Sequence, residues 1–401
     1  MRRTRLSLLL CCVLGVAVGC TSAASEESAA AAGPKRPAAP VGPEGLAFYL
    51  PPPAPDGAQP GDLIWVRPLD SPQGTQGHAI LYWSTGVDGR LVAESGVVFE
   101  PTGPPPELPR GILAWAHGSP GLADQCAPSR DYFEGDGVSV PLMAAVANEG
   151  LIFVASDYEG LGTPGEHPFI VNRAAGDDVL DSIRAAMALT GSRESPSVIM
   201  GQSRGGAAAL VAAEMQPRYA PELPLAGVVA VSAPSRLDIL DEQLAGGPYV
   251  GYLMMAVHGY RVAYPQLDIA GLTEAGQAVL ERIPGQCLGE ILADAYEAVG
   301  VDSGVSSVLN TPEFVKLLME NDAGHLRPDA PVLLVHGESD NTVPVATSRE
   351  LLQRYCAIGA QVTASYHPDQ GHVEVFGAAL PDIASFVRNR LAGTPTTPTC
   401  S

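Results

Sequence analysis

Basic residues are scarce in this 401-residue chain: 23 Lys and Arg stand against 44 Asp and Glu, a formal net charge of −21. Nucleic acids and anionic membrane surfaces are held by basic faces, so this balance excludes both as electrostatic partners. A membrane-spanning run is lacking too. The apolar stretch Leu6–Val18 behind Arg2, Arg3 and Arg5 is too short for a comfortable span. The seven cysteines show no C-x-x-C pair and no Cys/His spacing of a metal site, so neither a metal nor a cofactor is expected. What the chain does have is apolar content: 46% hydrophobic residues suffice for one large core or two moderate ones.

The opening "MRRTRLSLLLCCVLGVAVGC" reads as a processing signal over 1–20. Its end, "AVGC", resembles a bacterial lipoprotein cleavage box with Cys20 as the residue to be acylated; plain cleavage near "TSAA" is the alternative. Either route exports the protein, anchored to the cell membrane through lipid on Cys20 or secreted. Residues 21–45, rich in Ala, Pro and Ser, read as a flexible tether. Export makes Cys126, Cys287, Cys356 and Cys400 candidates for disulfides, and four cysteines pair in three ways. Cys400 sits in a "TPTTPTCS" tail with no core of its own, which points to a bridge that ties this end down.

From Phe48 the short runs "DLIWV", "HAILYW" and "RLVAESGVVFE" predict an antiparallel start to a sheet. Buried-strand runs then follow: "GILAWAH" (111–117), "LIFVAS" (151–156), "SVIM" (197–200), "AGVVAVS" (226–232), "PVLLVH" (331–336) and "QVTASY" (361–366). Helical patterns such as "DDVLDSIRAAMAL", "GGAAALVAAEM" and "ALPDIASFVRNRL" alternate with them, so the fold class is α/β with a mostly parallel sheet covered on both faces. One gap is too long for a single crossover. Residues 236–327 carry four helical patterns, the last with Thr311 as N-cap and Pro312 at the first helical position. They are read as a helical cap inserted into a core of 46–235 and 328–401.

The stretch "MGQSRGG" (200–206) contains G-x-S-x-G, which alone decides nothing in a chain with 44 glycines. Its context does. A strand ends at Met200 and a small-residue helix begins at Arg204, so Ser203 falls on a strand-to-helix turn whose flanking Gly201 and Gly205 leave no room for side chains. A serine hydroxyl needs a base, and the base an acid to fix its tautomer. "VLLVHGESDNTVP" places Asp340 past one strand and "ASYHPDQGHVEVF" places His372 past the next, in the order Ser, Asp, His. Glu338, His336 and His367 are the alternatives nearby, and both histidines read equally well as satisfied structural residues. The oxyanion donors are expected to be the N–H of Arg204 and that of Ser119 in "AWAHGSPGLADQC", since Pro120 cannot donate. Asp157, Tyr158 and Glu159 of "DYEGLG" either line the site or shape their turn. The segment "YVGYLMMAVHGY" is read equally as a buried cap helix or as a contact for acyl chains or lipid.

Together "HGSPGLADQCAPS", "SDYEGLGTPGEHPFIV", "GQSRGG", "GESDNTVP" and "DQGH", with the opening "FYLPPPAPDGAQPGDLI", resemble the secretory lipase family from about residue 46 to the end. The resemblance implies an α/β-hydrolase fold with a helical cap and metal-free hydrolysis of carboxylic esters, often triacylglycerols. It implies catalytic roles for Ser203, Asp340 and His372 and the disulfides Cys126–Cys287 and Cys356–Cys400. A monomer acting on a small-molecule or lipid ester is expected. A serine peptidase on the same scaffold, or a catalytically dead surface-binding lipoprotein, are the alternatives.

Overall fold

The computed structural model describes residues 39–103, 110–130, 149–236, 241–242, 244, 247–299 and 302–400. The expected processing signal with Cys20, the tether as far as residue 38 and residues 237–240 at the start of the expected cap lie outside the described residues.

The aliphatic and β-branched runs form β1 (Leu63–Leu69), β2 (Thr75–Thr85), β3 (Leu91–Pro101), β4 (Ile112–Ala116), β5 (Ile152–Ser156), β6 (Ser197–Gln202), β7 (Leu225–Val231), β8 (Val332–Gly337) and β9 (Val362–His367). They build a nine-stranded sheet in the order β1-β2-β3-β5-β4-β6-β7-β8-β9. Pairing is antiparallel from β1 to β5 and parallel from β5 through β4 to β9. The chain reverses its direction of travel across the sheet at β4, which lies between β5 and β6. Loops leaving the carboxyl ends of β4 and β6 therefore diverge there and open a crevice, where open α/β sheets bind ligands.

The helices are α1 (Asn172–Thr190), α2 (Arg204–Tyr219), α3 (Val250–Ala263), α4 (Glu274–Arg282), α5 (Leu288–Val299), α6 (Val305–Leu309), α7 (Pro312–Glu320), α8 (Val345–Ala357), α9 (Glu374–Ala378) and α10 (Leu380–Leu391). Alternate strand residues divide between two faces. Ile112, Ala114, Ile199, Val228 and Leu334 meet Leu180 and Ile183 of α1, Leu210 of α2 and Leu351 of α8. Leu113, Phe153, Val198, Val229 and Leu333 meet Val375 of α9 with Ile383 and Phe386 of α10. With both faces covered, the central strands are apolar at most positions on both sides, which is why they read as near-continuous runs.

Between β7 and β8 the helices α3 to α7 share a separate core around Val257, Tyr260, Val279, Ile291 and Phe314, joined by Phe169 and Ile170 from the segment before α1. Thr311 caps α7 by accepting a hydrogen bond from the N–H of Phe314, with Pro312 at the first turn. At the amino end the chain departs from the sequence reading. Pro40–Gly42, assigned there to the tether, pair with β1: Val66 N–H donates to Pro40 O at 2.9 Å and Gly42 N–H to Val66 O at 3.0 Å. The edge strand β1 has unpaired backbone groups, and the incoming chain satisfies them whatever its side chains are.

Candidate active site

Ser203 follows β6 directly and holds φ 55°, ψ −128°, a strained conformation that swings its side chain out over the sheet's carboxyl edge. The strain is maintained by contacts that leave no space to relax. A Cβ on Gly201 would lie 2.1 Å from Gly205 O, and one on Gly205 2.0 Å from Ala116 O, so both glycines are sterically required. Ser203 N–H donates to Val231 O at 2.8 Å, which fixes the turn to β7.

Two further loops converge on the serine. His372 Nδ1 lies 2.7 Å from Asp340 Oδ2, and His372 Nε2 lies 2.9 Å from Ser203 Oγ. The carboxylate can only accept, so Nδ1 carries the proton and Nε2 presents its lone pair to the serine hydroxyl. Asp340 is fully buried and His372 nearly so, with side-chain exposures of 0% and 14%. Burial alone would raise the Asp340 carboxyl. Hydrogen bonds from His336, His372 and the Val343 N–H outweigh it and hold the group well below the usual carboxylate range. Asp340 Oδ1 accepts from the N–H groups of Thr342 (2.9 Å) and Val343 (2.8 Å). The carbonyl of His372 accepts from Gln202 Nε2 at 3.4 Å and Ser232 Oγ at 3.3 Å. Neither contact was evident in the sequence, where Gln202 is merely a variable position of G-x-S-x-G.

The nearby alternatives resolve by position. Glu338 pairs with Arg349 on the surface, and His367 turns toward Ser365 and Asp382. His336 is buried behind Asp340, with Nε2 2.9 Å from Val343 O and 3.2 Å from Asp340 Oδ2.

Ser119, Ser203 and Arg204 line one cavity, whose other walls are mostly apolar: Phe169, Ile170, Leu244, Leu253, Leu309 and Val343 among them, with Tyr252 and Thr342. As first residue of α2, Arg204 has an N–H without an intrahelical acceptor. Gly118 approaches Ser203 so closely that an added Cβ would stand 3.9 Å from the serine Cβ. The side chain of Arg204 is buried, its guanidinium 4.1 Å from the Tyr158 ring centroid and 5.3 Å from that of Phe169. Burial, reinforced by this cation, pushes His117 down to about 3. Tyr158 donates its hydroxyl to His117 O at 3.1 Å, and Asp157 accepts from Ser95 at 2.5 Å and from Ser129. "DYEGLG" thus braces the loop that carries Ser119. The disulfide Cys126–Cys287 joins that loop to the segment before α5, and Cys356–Cys400 ties the tail to α8.

Sheet order, strained serine turn and loop-borne Asp and His define an α/β-hydrolase fold. The family model for secretory lipases matches residues 137–399. The chain belongs to the secretory lipase family and is a carboxylic ester hydrolase. It is 26% identical over 382 residues to a secreted triacylglycerol lipase of Malassezia globosa, covering 88% of this chain and 80% of that one. A probable inactive lipase of Mycobacterium tuberculosis is 27% identical over 378 residues, 87% and 82% of the two chains. Among solved structures, lipase A of Candida antarctica in its closed state has the same fold with a TM-score of 0.76 at 23% identity, covering 88% and 87%. The cell-wall-degrading esterase LipA of Xanthomonas oryzae aligns with a TM-score of 0.69 at 20% identity, over 83% and 98%.

Proposed function

We propose that this protein is an exported hydrolase of acyl esters, including lipid esters, that works through a Ser203–His372–Asp340 triad and an acyl-enzyme. The observation that carries the reading is the unbroken chain of 2.7 and 2.9 Å contacts ending on a serine in an apolar cavity. His372 Nε2 takes the proton of Ser203 Oγ as the oxygen attacks the ester carbonyl. The N–H groups of Arg204 and Ser119 receive the oxyanion, each such donor lowering the barrier by about 3 kcal/mol. His372 then gives its proton to the departing alcohol, and the same base activates the water that releases the acid. Asp340 keeps the imidazole in the required tautomer and offsets its charge.

Apolar walls suit an acyl chain better than a peptide. The cavity has a free volume of about 50 Å³, room for only a few waters. A long chain therefore enters only when the helices α3 to α7 shift outward as a cap. Export rests on the amino-terminal signal and agrees with the secreted relative; anchoring through Cys20 is tested by palmitate labelling of Cys20→Ala against the parent.

Ser203→Ala should remove hydrolysis of p-nitrophenyl esters by several orders of magnitude with the fold intact. A variant that keeps near-parental turnover refutes the mechanism. The relative named as probably inactive raises a second reading, a non-catalytic binding protein. Failure of a fluorophosphonate probe to label Ser203 would establish it.

A further inference from the structure

His336 is a candidate for more than packing. It stands on β8, fully buried, four residues before Asp340. Its Nε2 is 2.9 Å from Val343 O, which can only accept, so Nε2 carries the ring proton. The same nitrogen lies 3.2 Å from Asp340 Oδ2, the oxygen that receives His372 Nδ1–H. One N–H is thus shared between the carbonyl that closes the 337–343 turn and the carboxylate oxygen that faces the base. Val343 and Thr342, whose N–H groups hold the other carboxylate oxygen, also line the cavity over Ser203.

We infer that His336 is a positioning residue for the reacting centre: its shared Nε2–H fixes the acid-bearing turn on β8 and aims Asp340 Oδ2 at His372. The inference rests on the triad reading above. Its electrostatic consequence has a definite sign. A donor on Oδ2 withdraws negative charge that would otherwise stabilise protonated His372. Without that donor Asp340 favours the imidazolium more strongly, and the acid limb of the kcat/KM–pH profile moves to higher pH. A side chain that only filled space would alter activity at every pH and leave the limb in place.

The test compares purified parent, His336→Leu and His336→Gln on p-nitrophenyl butyrate. Leucine removes both bonds; the glutamine amide reaches about as far as Nε2 and restores a donor. His336→Leu should lose on the order of tenfold in kcat with KM little changed, and shift the acid limb up by about half a pH unit. His336→Gln should recover most of both. A folded His336→Leu with the parental acid limb, or a His336→Gln no better than leucine, overturns the inference. Nitrogen NMR of the parent labelled in histidine checks it without any variant: a neutral Nε2–H tautomer at His336 supports it, and an Nδ1–H tautomer overturns it. Should Ser203→Ala retain activity, the triad reading falls regardless of the tautomer found at His336, so the two failures are distinguishable.

Discussion

Stability should fall as pH rises from about 6.5 to 8, and the reason is a buried acidic cluster beside α1. Glu94, Asp178 and Asp181 are buried, with Glu159 and Asp177 mostly so. Tyr82 and Ser156 donate to Glu94, the Glu159 N–H to Asp178, and Ser84, Tyr219 and Arg184 to Asp181. Burial raises Asp177 to about 8, reinforced by the charges of Asp181 and Glu94 and opposed by those of Arg173 and Arg184. Glu159 is raised to about 7 and Glu94 to about 6, burial again leading. Carboxyls raised in this way bind more protons folded than unfolded between their unfolded value and their folded one. Their stabilising contribution is complete near pH 4 and is lost as pH climbs through the folded value. Over the interval from about pH 6.5 to 8, Asp177 alone accounts for about 2 kcal/mol and Glu159 for about 1.

Below that interval histidines act in the opposite sense. His117, His167 and His258 are held down by burial, so they bind fewer protons folded than unfolded, and their own contribution to stability drops as pH falls below about 6.5, against that of the carboxyls. Urea midpoints followed by intrinsic fluorescence at constant ionic strength measure the slope, and Asp177→Asn, neutral at every pH, should make it shallower. A midpoint that is flat or rising from 6.5 to 8, or a slope that Asp177→Asn leaves untouched, refutes the account.

Loop-closure entropy makes the Cys126–Cys287 bridge, spanning 161 residues, worth roughly 5 kcal/mol and the Cys356–Cys400 bridge, spanning 44, roughly 4. Replacing each pair by serine should lower the urea midpoint in both cases, but only loss of the first should depress kcat/KM, because it holds the loop bearing Ser119. Gly205→Ala forces a methyl against the carbonyls of Ala116 and His117, both of them backbone, and should cost at least about 3 kcal/mol. Its soluble yield and thermal midpoint check this; a parental midpoint would mean that the turn is not as tight as the contacts require.

Which parts of this molecule could be read beforehand follows from how far each feature depends on local chain. Ser203, Asp340 and His372 each follow a strand whose apolar run is visible in a short window, and parallel strands deliver their carboxyl-end loops to one edge. The loops after β6, β8 and β9 leave the same edge of the sheet within four consecutive strands, so residue order along the chain was enough to foresee that these three would meet. His336 was different. Sequence pattern makes it one buried histidine at a strand end; only the fold of the following turn brings Val343 O and Asp340 Oδ2 to the same ring nitrogen. Arg204 was legible as a backbone donor, while its side chain depends on Tyr158 and Phe169, which reach it from separate segments. Pro40–Gly42 looked featureless because edge pairing uses backbone groups that every residue has. Local periodicity thus discloses the strands and the loops they project. Contacts that a side chain makes across segments, and pairing that needs no side chain at all, leave no periodic trace. Among those contacts are the ones that hold Asp340 and His372 beside Ser203, so the finer geometry of the candidate site lies where sequence pattern is least informative.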